Sequence, residues 1–396
     1  MTADASMASL RAFIYVQHLS GVGHTVRMQR LGTELSRHFE VSVLDGGRPL
    51  PFPDVLDTVP VPRLARIDRE LRSLAAGLAL DETLSMRAEA IGAWLNANTP
   101  DLVIVEHYPF SKWELEQEIL PMLRQVRALN PDAKVVASLR DISPPTRYEQ
   151  VDGYADLVLE RLHKHFDALL VHADPSLCAL TSSFPRASDI RLPVHHTGIV
   201  APSPLEACET MSGAPYVVAS VGGGLDRSGL AQRVEEAWMT ICRDGEFRDA
   251  RLLLFGGLDQ SEEQGEGQCE QGAAETPGIQ RFDYSEDFRS YLEGAAASIS
   301  CAGYNTCADL LSCRTPALLL PNTAMSDQLA RAHLLDARGV ATLVPEPAEG
   351  CDALAGLLLK ALRSPPEKRL SDIDLNGAAR STAILKAMME QTRRQA

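Results

Sequence analysis

Residues 301–309 read Cys-Ala-Gly-Tyr-Asn-Thr-Cys-Ala-Asp. This stretch follows the apolar run 295–300, which predicts a buried strand, and it precedes residues 310–311, which begin an apolar helical face. A strand that turns through Gly303 into a helix gathers free backbone N–H groups and the positive helix end at one place, which suits a phosphate. Asp309, one turn into the helix, is expected to accept hydrogen bonds from a ribose diol.

A similar turn lies near the start of the chain, where residues 20–24 read Ser-Gly-Val-Gly-His between a predicted strand and a predicted helix. Gly21 and Gly23 allow a tight turn and a close approach of the backbone to a ligand. The dinucleotide fingerprint Gly-x-Gly-x-x-Gly is incomplete, because Val26 stands where its third glycine belongs. Asp45, at the end of the next predicted strand, lies where a nicotinamide enzyme would bind ribose. An NAD-dependent oxidoreductase therefore stays open as an alternative.

Short apolar runs alternate with longer amphipathic ones, which predicts parallel sheets with helices on both faces. The predicted fold class is α/β, with two Rossmann-like doubly wound domains facing each other across a cleft that holds a nucleotide. We predict an N-terminal domain at 1–200, a linker at 201–214 and a C-terminal domain at 215–396 whose last helices are free to pack back on the first. We also expect a loop over 46–63, followed by helices, and a non-periodic crossing segment over 194–204, with domain closure at this hinge.

A third glycine turn follows the first predicted strand of the second half. Its unhindered backbone N–H groups suit a phosphate or a reacting sugar. Its residues are Gly222, Gly223 and Gly224.

The composition is that of an ordinary globular protein, with 396 residues, 45% of them hydrophobic, and a net charge of −15. This acidic balance argues against a general affinity for nucleic acid or anionic lipid, although helix ends can still bind an anionic ligand. The 8 cysteines form no Cys-x-x-Cys pair, so we expect reduced thiols in a cytoplasmic protein and no metal site. The sequence predicts no signal peptide and no membrane-spanning segment.

Candidate catalytic bases follow the predicted strands. His24 lies at a predicted helix start, where the positive helix end favours the neutral, proton-accepting imidazole. It is the first choice for a base that deprotonates an acceptor hydroxyl. Glu106 and Asp141, each at the carboxyl end of a predicted strand, are the second choices, and His18 and His107 are weaker candidates.

These motifs resemble those of GT-B fold glycosyltransferases. The resemblance is to the lipid II-forming N-acetylglucosaminyltransferases of family 28 and to a related group of bacterial predicted glycosyltransferases. It covers the N-terminal Gly-x-Gly-His loop, the triple-glycine turn, and the segments 303–309 and 316–332. The stretches 106–110, Glu-His-Tyr-Pro-Phe, and 139–141, Leu-Arg-Asp, are similar to the bacterial group specifically.

The resemblance implies a UDP-sugar bound mainly by the C-terminal domain and an acceptor bound mainly by the N-terminal one. It implies no metal and no other cofactor, because helix dipoles and backbone N–H groups stabilise the leaving diphosphate. By similarity, Asp309 takes the place of a ribose-binding glutamate, and Gln328 contacts donor-sugar hydroxyls with Asp327 beside it. The other positions expected to bind the donor are Gly21, Gly23, Gly222, Gly223, Gly224, Gly303, Asn305 and Thr306.

The resemblance implies a reaction that moves a hexose or amino sugar from a nucleotide diphosphate, expected to be UDP, to a hydroxyl or amine, with inversion. The expected acceptor is a small molecule or a glycoside, with no nucleic-acid partner and with a homodimer left open. A nucleotide-sugar hydrolase, a 2-epimerase and a non-catalytic sugar-binding protein are the alternatives on the same fold.

Overall fold

The chain divides into two units, Met1–Ala201 with Ile373–Ala396, and Pro202–Asp372, which we call the N-terminal and the C-terminal unit. The last segment therefore belongs to the N-terminal unit, although the predicted C-terminal domain included it. The computed structural model describes residues 9–67, 70–141, 150–202, 214–222, 229–243, 246–256, 278–282, 285, 288–313, 315–322, 326–344, 350–363 and 372–395.

The N-terminal unit is built on a seven-stranded parallel sheet of order β3-β2-β1-β6-β7-β8-β9, beside a separate antiparallel hairpin of β4 and β5. Its elements are β1 Leu10–Tyr15, α1 Gly23–Leu35, β2 Phe39–Asp45, β3 Asp57–Pro60, β4 Leu64–Ile67, β5 Glu70–Ser73, α2 Leu80–Ala97, β6 Leu102–Glu106, α3 Glu116–Leu129, β7 Lys134–Arg140, α4 Tyr154–His165, β8 Ala168–His172 and β9 Val194–His196.

The apolar strands of this sheet are buried on both faces. Successive side chains of a strand point to opposite faces, so Phe13 and Tyr15 of β1 pack into the core that α2, α3 and α4 cover. Ala12 and Ile14 pack into the core on the other face. That face is covered by α1 and by the C-terminal helix α10, Gly377–Gln395.

Three predictions for the N-terminal unit are corrected. The predicted loop over 46–63 contains β3, which pairs with β2 at the sheet edge. The residues expected to start the helices that follow form the hairpin of β4 and β5 instead. The predicted crossing segment over 194–204 begins with β9, which pairs with β8. All of these strands are short and carry polar residues, so they lack the continuous apolar run that marks a buried strand.

The C-terminal unit has a six-stranded parallel sheet of order β12-β11-β10-β13-β14-β15. Val217 and Ala219 of the first strand share a core with Trp238 and Leu358 from the covering helices. Its elements are β10 Tyr216–Ser220, α5 Leu230–Arg243, β11 Arg251–Phe255, β12 Ile279–Phe282, α6 Phe288–Gly294, β13 Ala297–Ser300, α7 Tyr304–Ser312, β14 Ala317–Leu319, α8 Ser326–Ala337, β15 Thr342–Leu343 and α9 Gly350–Arg363.

Each sheet has a point where the strand order reverses, between β1 and β6 in the N-terminal unit and between β10 and β13 in the C-terminal unit. Ligands of open α/β sheets bind outside the carboxyl ends of the strands at such a point. The loops that follow these four strands are therefore where each unit is expected to bind a ligand. Within the described residues, no helix has the length and apolar character to span a membrane.

Candidate active site

The reversal point of the N-terminal sheet brings Glu106 and His24 into contact. Glu106 ends β6, and His24 lies in the first turn of α1, after the loop that leaves β1. Nδ1 of His24 lies 2.5 Å from Oε1 of Glu106. Arg27, one helical turn beyond His24, donates from Nη2 to the same oxygen at 2.5 Å. The sequence named His24 and Glu106 as separate candidates, whereas the structure joins them in one hydrogen-bonded pair.

His24 is held neutral, with one ring nitrogen facing away from Glu106. An ionised carboxylate only accepts hydrogen bonds, so Nδ1 of His24 carries the proton and Nε2 keeps its lone pair. Burial lowers the pKa of His24 to about 4, against the opposing effect of Glu106. The side chain is 24% exposed, which leaves part of the ring open to a ligand. The neutral state was expected from the helix end, whereas burial is the main cause.

Glu106 is fully buried and ionised. Burial opposes its ionisation, but the effects of His24, His107 and Arg27 outweigh it and hold the pKa of Glu106 well below its usual range. The nearest ligand-type atoms of His24, Glu106 and His107 lie within 4.8 Å of one another, which is close enough to consider a metal ion. Arg27 and His24 both already bind Oε1, however, and a guanidinium beside the carboxylate repels a cation. These residues fit a hydrogen-bonded dyad better than a metal site.

The remaining N-terminal candidates are less accessible. Asp141 follows β7 and is 3% exposed. His18 is also 3% exposed, and its Nδ1 lies 2.8 Å from Oγ1 of Thr25. Asp45, the acid that an NAD enzyme would need, forms an ion pair with Arg63 at 3.0 Å. This pair weakens the dinucleotide interpretation, because the carboxylate already has a cationic partner.

A buried ion pair holds the end of β1, just before the loop with Gly21 and Gly23, in place. Arg87 of α2 and Glu118 of α3 are both fully buried and form two hydrogen bonds, at 2.7 and 2.8 Å. Glu118 also accepts a hydrogen bond from Tyr15, and Arg87 donates to Gln17 at 2.8 Å. The side chain of Gln17 in turn donates to the carbonyl of His18. The loop that leads to His24 therefore starts from a fixed backbone.

A buried histidine hydrogen-bonds two hydroxyl groups at the ends of neighbouring strands. Nε2 of His172, the last residue of β8, lies 2.9 Å from Oγ of Ser138, and its Nδ1 lies 2.9 Å from Oγ1 of Thr197. Ser138 pairs with Glu106 across the sheet. Burial lowers the pKa of His172 to about 3. Such a histidine is neutral at physiological pH and orders its hydroxyl neighbours.

These histidines make the stability of the N-terminal unit depend on pH. Burial lowers the pKa of His18 and His24 from 6.5 to about 4, and that of His172 to about 3. Between pH 6.5 and about 4 the unfolded chain binds protons that the folded unit excludes, so stability is full above pH 6.5 and is lost as the pH falls. Lowering the pH from 7 to 5.5 should cost about 1 kcal/mol for each of the three histidines.

Thermal unfolding between pH 7 and pH 5.5 measures this loss. The Tm of the variant His172→Asn should fall less between pH 7 and pH 5.5 than that of the wild type, because one titrating group is gone. The comparison holds whatever the Tm of the variant at pH 7. A wild-type Tm that does not change between these pH values would show that the histidines are not held neutral.

At the reversal point of the C-terminal sheet, two predicted motifs lie side by side. Gly222 follows β10 with φ at +88°, and the residues that follow β13 begin at Cys301. The N–H of Cys301 donates to the carbonyl of Ser220 at 3.1 Å, which joins the two strand ends. A Cβ on Gly222 would meet nothing within 4 Å, so open space adjoins this turn. Gly223 and Gly224 lie outside the described residues.

The start of α7 has no side-chain cap. Gly303 precedes the helix in an extended conformation, and no side chain caps the first turn. The first four N–H groups of a helix have no partner within it, so the N–H groups at Asn305 and Thr306 point out of the helix start. Asp309 lies on the next turn, is 4% exposed, and is the acid of this helix.

Two polar residues of α8, both expected to face sugar hydroxyls, make contacts within the C-terminal unit. Asp327 is 5% exposed and pairs with Arg331 at 3.2 Å. Arg331 also donates to the carbonyl of Ala302, so this ion pair ties α8 to the loop before α7. Gln328 accepts a hydrogen bond from the N–H of Asn322 at 3.0 Å. Asp327 is thus part of an ion pair at this turn, and its contact with a donor sugar stays a prediction.

Sequence reasoning missed an aromatic cluster at the carboxyl ends of β11 and β12. The rings of Phe255 and Phe282 stack with centroids 4.7 Å apart and an interplanar angle of 11°. Phe288 and Tyr291 of α6 pack against them, and all but Phe255 are partly exposed. The sequence did contain a signal for this cluster, because Phe255 and Phe282 each end a strand at the side of the sheet where the glycine turns lie. Arg27 was missed as well, although it lies three residues from His24 on the same helix face.

The family comparison identifies the C-terminal part of the chain. Residues 228–383 match the glycosyltransferase family 28 C-terminal domain. The UDP-N-acetylglucosamine--N-acetylmuramyl-(pentapeptide) pyrophosphoryl-undecaprenol N-acetylglucosamine transferase of Ralstonia nicotianae is 28% identical over 228 residues, which are 56% of this chain and 58% of that protein. The chain thus matches little more than half the length of this relative.

Two solved structures share the whole fold. CalG4, the calicheamicin glycosyltransferase, aligns with a TM-score of 0.60 and 14% identity over 97% of this chain and 99% of its own. TcCGT1, solved in complex with UDP, aligns with a TM-score of 0.60 and 13% identity over 97% of this chain and 100% of its own. The predicted GT-B fold is confirmed. Within that fold, residues 228–383 are similar to the C-terminal domain of family 28.

Proposed function

We propose that this protein is a glycosyltransferase that moves a hexose or amino sugar from a UDP-sugar to a hydroxyl or amine of an acceptor, with inversion and without a metal. The observation that carries the proposal is the turn and helix start at residues 301–309. This segment lies at the reversal point of the C-terminal sheet and inside the match to family 28. The choice of UDP is supported by the UDP complex of TcCGT1 and by the name of the Ralstonia transferase.

The C-terminal unit supplies the groups that a nucleotide-sugar needs. The uncapped start of α7 offers N–H groups to the diphosphate, and Gly222 allows its close approach. Asp309 binds the ribose. The cluster around Phe282 offers a partly exposed aromatic face on which the uracil ring of the donor stacks. Negative charge that develops on the leaving phosphate is stabilised by groups already oriented toward it, which is how such sites lower the barrier.

The N-terminal unit supplies the base. Nε2 of His24 accepts the proton of the acceptor hydroxyl as the oxygen attacks the anomeric carbon. The bond from that carbon to the phosphate oxygen breaks, and its electron pair leaves with UDP. Glu106 stabilises the imidazolium that forms, and Arg27 keeps Glu106 ionised. Attack and departure on opposite faces invert the configuration.

A turnover assay tests the proposed function. Purified protein is incubated with a UDP-sugar, a panel of hydroxyl and amine acceptors, and EDTA, and UDP release and glycosylated products are measured. We expect UDP release to depend on an acceptor and to persist in EDTA. UDP release at the same rate without any acceptor would show a hydrolase instead. Activity that is lost in EDTA and restored by a divalent cation would refute the proposal that the transfer needs no metal ion.

The variant Asp309→Ala is expected to weaken UDP binding about tenfold or more, since a hydrogen bond to a charged group contributes about 1.5–3 kcal/mol. Titration calorimetry with UDP measures this loss. Asp352→Ala is the matched control, because Asp352 is an exposed acid in the first turn of α9. Equal UDP affinities for the Asp309 variant and the wild type would remove Asp309 from the donor site.

A further inference from the structure

The loop between β6 and α3 contains backbone strain at both ends. His107 has a φ of +62° and Lys112 a φ of +70°, a region that residues with a Cβ seldom adopt. In the part of the chain that the structure describes, these are the non-glycine residues with positive φ. Strained backbone is retained where the surrounding structure over-determines it, and it clusters at ligand sites.

Lys112 carries a positive charge that no carboxylate of the described residues neutralises by contact. Its Nζ donates to the carbonyl of Gln17 at 2.8 Å. The nearby acids are already engaged, since Glu106 pairs with Arg27 and Glu114 pairs with Arg66. Among the described residues, Lys112 forms no ion pair. Its ammonium therefore keeps two N–H donors for another acceptor.

The position of Lys112 makes this charge costly in the absence of a ligand. The side chain is half-buried, and burial lowers the pKa of Lys112 against the opposing effects of Glu106 and Glu114. Removing an ammonium from water without a counter-ion costs free energy, and an anion in contact with Nζ would offset that cost.

Lys112 also contacts the loop that leads to His24, the proposed base. The carbonyl that it binds belongs to Gln17, at the start of the loop that leads to His24. The positive charge of Lys112 is among the effects that lower the pKa of His24, after burial. An anion held by Lys112 would therefore lie in the electrostatic neighbourhood of His24.

We propose that Lys112 binds an oxyanion, a phosphate or a carboxylate, that the acceptor carries beside its reacting hydroxyl, which deepens the proposed transferase function and rests on it. The acceptor is then anionic, although the protein itself has a net charge of −15. Lys112 sets the acceptor specificity, whereas His24 performs the proton transfer.

Inorganic phosphate is the probe that tests this site. Titration calorimetry follows phosphate binding to the full chain saturated with UDP, so that the diphosphate site is already filled. We expect Lys112→Gln, which keeps a donor for the carbonyl of Gln17, to weaken phosphate binding about tenfold or more. Lys112→Arg should restore most of the affinity. Lys164→Gln, at an exposed lysine of α4, should leave it unchanged.

Under turnover with an acceptor from the panel above, phosphate should raise the acceptor KM and leave the donor KM unchanged. The proposal is overturned if the UDP-saturated chain binds no phosphate, if Lys112→Gln binds it as tightly as the wild type, or if this variant loses affinity for UDP instead. A chain that binds phosphate through Lys112 but does not bind UDP would refute the proposed function and leave the anion site standing.

Discussion

Replacing His24 with alanine is expected to lower kcat for sugar transfer by about 100- to 10,000-fold, the range that a positioned general base contributes. The reason is that Nε2 of His24 is the proton acceptor, fixed in its tautomer by the 2.5 Å hydrogen bond between Nδ1 and Glu106. UDP affinity should change little, since the groups proposed to bind the ribose and the leaving diphosphate at α7 belong to the C-terminal unit. Steady-state measurement of product formation, with UDP titration alongside, separates these two quantities.

His38→Ala is the matched control, because His38 is an exposed histidine just beyond the other end of α1. Glu106→Gln should also slow transfer, since the imidazolium loses its ionised partner. If His24→Ala retained kcat within about threefold of the wild type, far less than a general base contributes, the assignment of the base would be wrong.

Arg87→Ala is expected to lower the free energy of unfolding of the N-terminal unit by about 3–5 kcal/mol, the usual cost of breaking a buried ion pair. Glu118 would lose both hydrogen bonds from Arg87 while it remains fully buried. Urea unfolding, followed by hydrogen exchange of the amides in β1 and β6, reports on this unit separately.

Arg37→Ala provides the comparison, since Arg37 forms an exposed ion pair with Glu34 and such pairs contribute little. Replacing both buried partners, with Arg87→Met and Glu118→Leu, should recover part of the loss because no charge then stays buried alone. A loss of under about 1 kcal/mol for Arg87→Ala, as for an exposed pair, would mean that water or another group replaces the lost contact.

The sequence predicted the central strands well and the edge strands poorly. Strands such as β6 and β8 are buried on both faces, so their continuous apolar runs are visible in the sequence. The edge strand β3 has one buried residue among four, and the hairpin of β4 and β5 carries charged side chains such as Arg66 and Glu70. Short half-exposed strands have no distinctive pattern, so they were assigned to a loop and to helices.

The same limit applies to the candidate site. His24 and Glu106 were identified because each follows or ends a predicted strand, but their contact joins residues 82 positions apart and depends on the strand order. Asp327 was placed at the sugar by its position at a helix start, whereas its partner Arg331 lies one turn further along the same helix. In the sequence Lys112 resembles any surface lysine. Its positive φ and the lack of an ion pair with a described residue are visible only in the structure.

Binding of nucleotides tests the central claim most directly. A thermal-shift panel with UDP, dTDP, GDP, CMP and NAD, at matched concentrations and without metal, compares the two ligand classes that the glycine turns allow. A ligand at 100 times its Kd stabilises the folded state by about 2.7 kcal/mol, which is a measurable shift. We predict a shift with UDP or dTDP that is lost in Asp309→Ala. A shift with NAD alone would contradict the transferase and return Asp45 to the role of a ribose ligand.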